Sequence, residues 1–153
     1  MKFVLRLSLF LLLGMLGFSQ AIAEQKEVFD GPDGSEYEVH YIAFVSEFLD
    51  PEVAKQYKLV RSKALGVVNI SVIKVDAEGK RKAVGAMVET KMSNDIQQQQ
   101  FLSFQQVVEG TAIYYIAQHQ FRESELLTFD VTVYAEGSIK PMKLRFTQNF
   151  YNN

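Results

Sequence analysis

The chain has 153 residues with 16 basic and 18 acidic side chains, and it contains neither Cys nor Trp. Without Cys it is neither a disulfide-linked scaffold nor a lipid-modified lipoprotein, and its mild acidity argues against a nucleic-acid partner. The absence of Trp disfavours a sugar-stacking platform. Burial of apolar side chains must therefore hold the fold together.

The N-terminal segment has the three parts of an export signal. Lys2 and Arg6 supply positive charge, residues 7–18 form an uncharged apolar run, and Ala21 and Ala23 supply the small residues of a cleavage site. Because the run is short for a bilayer, an uncleaved anchor helix is the less favoured alternative. We predict a signal peptide over the first 23 residues, cleaved after Ala23, and export to the periplasm with no membrane span in the processed chain.

The processed chain of 130 residues is long enough for one domain, and its 14 basic and 18 acidic residues give a net charge of −4. Residues 24–35 include the turn-forming run at 30–34. They are predicted to be a flexible lead-in with at most one short strand. The single folded domain is predicted over 36–153.

The first half of this domain is predicted to contain three strands and a helix. Apolar side chains in both alternating sets of 37–45 indicate a strand that is covered on both faces. The Asp-Pro-Glu order at 50–52 is that of a helix N-terminus, and it predicts a helix of about two turns. Residues 65–75 and 83–92 are predicted to form a hairpin with Gly79 in its turn.

The second half is predicted to contain four more strands, at 101–108, 111–121, 127–135 and 142–151. The last two alternate well, and their apolar members should pack together: Phe129, Val131, Val133, Leu144, Phe146 and Phe150. About seven short strands with Gly-marked turns predict a mainly β fold with one short helix. The prediction is an antiparallel β-sandwich, immunoglobulin-like by analogy, with a partly open barrel as the alternative.

The sequence contains no familiar catalytic motif. There is no Cys nucleophile, no G-x-S-x-G elbow, no phosphate-binding loop and no H-E-x-x-H pair. His40 and His119 are the only histidines, and they fall on separate predicted strands. Since zinc takes three or four ligands, we expect no metal site. From the missing motifs we expect no cofactor and no enzymatic activity.

Four residues are candidates for a binding site: His40, Arg61, Asn69 and Tyr115. His40 shares a strand face with large apolar side chains, so a hydrogen-bonded structural role is favoured over a titrating functional one. Asn69 interrupts an apolar strand, and its amide is expected to be tied to a neighbouring loop. Arg61 follows the short helix, and Tyr115 belongs to a Tyr pair that places one ring on each strand face. His119, near a strand end, is expected at the surface.

Five stretches of the processed chain carry a family resemblance: YEVHY at 37–41, FLDPEVA at 48–54, LVRS at 59–62, GVVNISV at 66–72 and AIYYI at 112–116. Together they resemble the domain of unknown function 4426 family, small periplasmic proteins of Gram-negative bacteria. The resemblance implies a periplasmic location and a compact β domain. It brings no established activity, ligand or catalytic residue.

Three functional hypotheses remain. The first is a non-catalytic periplasmic interaction or accessory protein that binds another exported protein through a sheet face or edge, for which the Gln run at 97–100 is one candidate. The alternative is a small-ligand-binding protein with a cleft near His40, Arg61 and Asn69. The third is a hydrolase that pairs His40 with Ser46 or Ser71.

Overall fold

The computed structural model describes residues 23–152, which build two antiparallel sheets packed face to face. The α-helix of this region, α1, spans Pro51–Gln56, and short 3-10 turns span Pro32–Gly34 and Ser46–Phe48. The strands in chain order are β1 (Gln25–Asp30), β2 (Glu36–Val45), β3 (Leu65–Val75), β4 (Arg81–Ala83), β5 (Ala86–Asn94), β6 (Gln99–Phe101), β7 (Gln105–Glu109), β8 (Ala112–Gln120), β9 (Glu125–Ala135) and β10 (Met142–Phe150).

Sheet A has the strand order β1-β2-β3-β8-β7, with β4 paired to the end of β3, and sheet B has the order β10-β9-β5-β6. This architecture confirms the predicted mainly β sandwich with one short helix. The short strand expected in the lead-in is β1, which pairs with β2 from Gln25↔Tyr41 to Asp30↔Glu36. The predicted signal peptide, apart from its last residue, lies outside the described residues, and its cleavage stays a prediction.

The chain changes sheets where the sequence predicts one continuous strand over 83–92. Gly79 (φ 85°) lies in the β3–β4 turn as expected, and the Val84 N–H still donates to the Val72 carbonyl of sheet A. The next residue, Gly85, accepts from the Glu136 N–H, and β5 then pairs with β9 in sheet B. The continuous strand was therefore a wrong prediction. The predicted strand at 101–108 divides in the same way, into β6 of sheet B and β7 of sheet A.

The main core lies between the inner faces of the two sheets. In the β9–β10 ladder Phe129 is opposite Phe146 and Val131 is opposite Leu144, which confirms the predicted packing of these strands. The Phe129 and Phe146 rings stack with centroids 4.8 Å apart, and Tyr41 of sheet A stacks on Phe146 at 4.7 Å. Aromatic contacts thus join the two sheets.

A second apolar cluster covers part of the outer face of sheet A. Helix α1 begins where the sequence predicts, because the Asp50 side chain accepts hydrogen bonds from the N–H groups of Glu52 and Val53. The buried members of the cluster are Ile42, Phe44, Leu49, Ala54, Val67, Val107 and Ile116. Sheet A is therefore covered on both faces near α1, which explains the two-sided apolar pattern of β2.

Candidate functional site

The four predicted binding residues do not form one site. His40 and Asn69 do lie on the outer face of sheet A, since His40 is opposite Ser71 and Asn69 is opposite Ile42 in the β2–β3 ladder. Asn69 is buried, and its Oδ1 has no hydrogen-bond partner within residues 23–152. The expected tie from this oxygen to a loop is absent there, because the residues opposite it in the two ladders are Ile42 and Ile116.

Arg61 and Tyr115 lie elsewhere. The Arg61 guanidinium donates to the carbonyls of Leu49 (2.8 Å) and Glu47 (3.0 Å), so it holds the segment before α1. Tyr115 is buried in the main core, where its hydroxyl accepts a hydrogen bond from the Ala86 N–H at 2.6 Å. Both side chains support the fold. The geometry does not support the alternative of a small-ligand cleft near His40, Arg61 and Asn69.

His40 instead belongs to a charged cluster around Glu38. The Glu38 side chain is only 8% exposed, and it receives two hydrogen bonds from Arg81, at 2.9 and 2.6 Å. Lys26 approaches the same carboxylate at 3.3 Å and His40 Nε2 at 2.9 Å. His40 Nδ1 contacts the Glu24 carboxylate at 2.5 Å. The cluster connects β1 and the residue before it to β2 and β4.

The cluster favours the charged forms of both Glu38 and His40. The Arg81 guanidinium, with help from His40 and Lys26, lowers the pKa of Glu38 from 4.5 to about 2 against the opposing effect of burial. The carboxylate of Glu24, followed by that of Glu38, raises the pKa of His40. Since each ring nitrogen faces a carboxylate, His40 is a hydrogen-bonded structural histidine, as the sequence favoured.

His119 is buried, and its expected surface position was wrong. It is only 3% exposed, on the inner face of β8, and its ring packs edge-on against Phe150 with centroids 5.0 Å apart. Nδ1 donates to the Gln120 carbonyl at 3.2 Å, which leaves Nε2 without a partner among the described residues. Burial lowers the pKa of His119 and so favours the neutral imidazole in the folded protein.

The two histidines should give opposite slopes to the pH dependence of stability. The raised pKa of His40 means that its stabilising effect is complete below pH 6.5 and is lost as the pH rises through the folded pKa. The lowered pKa of His119 means that stability falls as the pH drops below 6.5, where the unfolded chain binds a proton that the folded chain excludes. Urea unfolding between pH 5 and 8 should therefore show a maximum near pH 6.5.

Single variants can separate the two slopes. His40→Gln should flatten the alkaline side of the curve and leave the acid side, while His119→Gln should do the reverse, so each variant is the control for the other. A curve that rises or falls steadily over this range in wild type, or one that neither variant changes, would contradict the assignment.

The outer face of sheet B carries exposed large apolar side chains and is not covered by α1. Met87 of β5 is 57% exposed, Phe101 of β6 is 73% exposed and Tyr134 of β9 is 43% exposed. Met87 and Tyr134 are direct cross-strand partners, and Phe101 is on the same face opposite Lys91, four residues along β5 from Met87. We call Met87, Phe101 and Tyr134 the open-face patch.

Charged pairs cross the same face beside the open-face patch. Asp130 of β9 is bound by Arg145 of β10 at 2.5 Å and approached by Lys91 of β5 at 4.0 Å. One sequence signal points to this patch, the outward position of Tyr134 in β9. Tyr134 follows Asp130 and Thr132 on the outward positions of an alternating strand, where a large aromatic side chain is exposed.

The family model of DUF4426, a domain of unknown function, matches residues 33–153. The chain belongs to the DUF4426 family. The resemblance found in the sequence is thereby confirmed. A crystal structure of a DUF4426 family protein from Pseudomonas aeruginosa is 33% identical with a TM-score of 0.66, and the match covers 84% of this chain and 96% of that chain. No curated protein matches the chain.

More distant structures extend the comparison beyond DUF4426. A copper-bound variant of FetP from uropathogenic Escherichia coli is 13% identical with a TM-score of 0.48, over 84% of this chain and 97% of that chain. A second FetP structure, of protein expressed in the periplasm of E. coli, is 12% identical with a TM-score of 0.47 over the same shares.

The described part of the chain has neither a candidate membrane helix nor a group of metal-ligating side chains. Within residues 23–152 no helix is long and apolar enough to cross a membrane. Over the same range, no three side chains of the His, Cys, Asp and Glu types are grouped so that they could hold a metal ion.

Proposed function

We propose that this DUF4426 protein is an exported, non-catalytic accessory protein of the periplasm that binds another exported protein through the outer face of sheet B. The observation that carries the proposal is the open-face patch, in which Met87, Phe101 and Tyr134 stay exposed on a sheet face. Met and aromatic side chains are enriched at protein interfaces, and an aromatic ring such as that of Tyr134 buries a large area for little conformational entropy. The N-terminal order of charged, apolar and small residues supports export.

The charges beside the patch suit selective recognition. Lys91, Asp130 and Arg145 lie on the same face as the patch, and a partner must present a matching pattern to dock without leaving a charge unpaired. Apolar groups would then supply affinity, and the charged row would set orientation.

The use of polar side chains elsewhere supports a non-catalytic role. Both ring nitrogens of His40 are engaged by carboxylates, so neither is free to take a proton from Ser71, its cross-strand neighbour. The Ser46 hydroxyl donates to the Ser62 carbonyl and accepts from the Ser62 N–H, which ties two loops together. These hydrogen bonds support structural roles for His40 and Ser46.

Site-specific photo-crosslinking in cells tests the proposal. The photoreactive residue p-benzoylphenylalanine is introduced at position 87 or 134, and at position 108 as a control, because Val108 is also exposed (61%) but lies on β7 of sheet A. We expect one discrete heterologous adduct from positions 87 and 134 and none from 108. Tyr134→Glu should abolish the adduct formed from position 87.

Three outcomes would overturn the proposal. One is the absence of any adduct from the two patch positions, and another is an equal adduct from position 108. The third is an adduct whose mass is twice that of the processed chain, because it would identify a second copy of this protein as the occupant.

A further inference from the structure

A pocket of about 230 Å³ opens at one end of the sandwich. It lies where the turn after β5, which begins at Asn94, meets the turn between β8 and β9, which contains Arg122. Buried Met92 and Phe121 contribute to its lining. Pockets that enclose a drug-sized ligand have about 300–1,000 Å³. This smaller pocket therefore suits the end of a chain better than a whole small molecule.

Amide side chains dominate the polar lining of the pocket. Gln100 and Gln120 line it, and their side-chain amides make no hydrogen bond within residues 23–152. Gln98, also in the lining, accepts a hydrogen bond from Asn94 at 3.0 Å. Each amide can both donate and accept, as peptide groups do. The pocket therefore matches the hydrogen-bonding pattern of a polypeptide backbone.

Arg122 places a positive charge beside these amides. The Arg122 guanidinium makes no ion pair or hydrogen bond within the described chain, although it belongs to the lining. The carboxylate of Glu125, also in the lining, accepts from the Arg122 backbone N–H at 2.7 Å and from the Asn94 side chain at 3.2 Å. A free guanidinium presents a fork of donors that fits a carboxylate in two parallel hydrogen bonds.

The pocket adjoins an unpaired sheet edge. β6 (Gln99–Phe101) is the last strand of sheet B, so one of its edges has no neighbouring strand in that sheet. An extended peptide can add to such an edge through main-chain hydrogen bonds. Edge, amides and guanidinium are contiguous because Gln99 and Gln100 belong to both the edge and the pocket.

We propose that this pocket captures the C-terminal end of an extended polypeptide. Arg122 binds the terminal carboxylate, the free amides of Gln100 and Gln120 hold the last peptide groups, and the preceding residues pair with β6. The site shares β6, and with it Phe101, with the open-face patch, but Met87 and Tyr134 do not line the pocket. Because Arg122 is not part of that patch, an Arg122 variant tests this site independently of the proposed function.

A peptide-library experiment tests the proposal with the processed protein. The protein is immobilised and offered hexapeptides randomised at their last four positions, synthesised either as free acids or as C-terminal amides, and the retained peptides are quantified by mass spectrometry. We expect free acids to be retained at least tenfold over amides. Amide resonances of Gln99 to Phe101 should shift when a retained acid is added to ¹⁵N-labelled protein.

Two variants decide whether the pocket is responsible. Arg122→Gln should reduce retention of the acids to that of the amides, while Lys55→Gln, which removes one exposed positive charge from α1, should leave it unchanged. Equal retention of acids and amides, no retention at all, or an unaffected Arg122→Gln variant would overturn the proposal. Equal retention of amidated peptides with internal Asp or Glu would also overturn the proposal. Binding of D-glucuronate, a carboxylate with no peptide group, would do the same.

Discussion

Replacing Gly66 with Ala should destabilise the domain by about 3 kcal/mol, because the core around this residue has no room for a methyl group. A Cβ atom at Gly66 would lie 2.4 Å from two ring atoms of His119 and 2.9 Å from the Phe150 ring. Both rings are themselves buried, so neither can move aside without disturbing the core. The midpoint of thermal unfolding should fall by roughly 10 °C.

Two further variants separate this steric effect from loss of glycine flexibility. Gly79→Ala meets no atom within 4 Å but must adopt a φ of 85°, so it should cost only about 1 kcal/mol. The double variant Gly66→Ala with His119→Ala should lose less stability than the sum of the losses in the two single variants. The difference, which is the coupling energy, should be about 1–2 kcal/mol. Strict additivity, or equal costs at Gly66 and Gly79, would contradict the close approach of His119.

Replacing Glu38 with Gln should cost about 2–3 kcal/mol at pH 7, since it removes the carboxylate that Arg81, Lys26 and His40 share. The figure lies at or below the lower limit for breaking a buried ion pair, because Arg81 and Lys26 are each 53% exposed and partly screened by solvent. Gln is nearly isosteric with Glu, so the loss reports the charge more than the packing. Urea unfolding at pH 7 measures it.

The pH dependence and a second ion pair supply the controls for Glu38. Because the pKa of Glu38 is lowered to about 2, its contribution is complete above about pH 4.5 and is lost as the pH falls through about 2. The deficit of the Gln variant should therefore shrink in acid. Asp130→Asn breaks another Arg–carboxylate pair, but on the exposed face of sheet B, and it should leave stability unchanged within error. Equal losses at the two positions would refute the role of burial.

Features encoded by adjacent residues could be predicted from the sequence. The Asp-Pro-Glu start of α1 is such a feature, because the capping oxygen and the N–H groups it satisfies are within three residues. The alternation in β9 and β10 is another, since a period of two assigns side chains to faces. These signals correctly gave the helix start and the packing of Phe129 on Phe146.

The sheet to which a strand belongs could not be predicted in the same way. Alternation gives a side chain's face but not its neighbouring strand, so the change of sheet at Gly85 left no mark in the pattern of 83–92. The open-face patch was missed for a related reason. Whether an outward Tyr134 is covered depends on which element packs over that face, and α1 packs over sheet A instead.

For the two histidines as well, the sequence predicts some features and only the fold determines the others. The sequence gave the face of His40, but its charged partners Glu24 and Arg81 arrive from β1's end of the chain and from β4, and only the fold brings them together. His119 seemed exposed because it lies near a strand end beside polar residues. It is buried because Gly66, on the neighbouring strand, leaves space for its ring.

The sequence by itself determined the mainly β character of this DUF4426 protein, the cap of its helix and the inward faces of its strands, because each depends on residues close together in the chain. Only the tertiary structure decided which strands share a sheet, which face stays uncovered and which charges meet around Glu38. Those outcomes depend on contacts between residues far apart in sequence, and the free energy of such contacts exists only once the two sheets have packed.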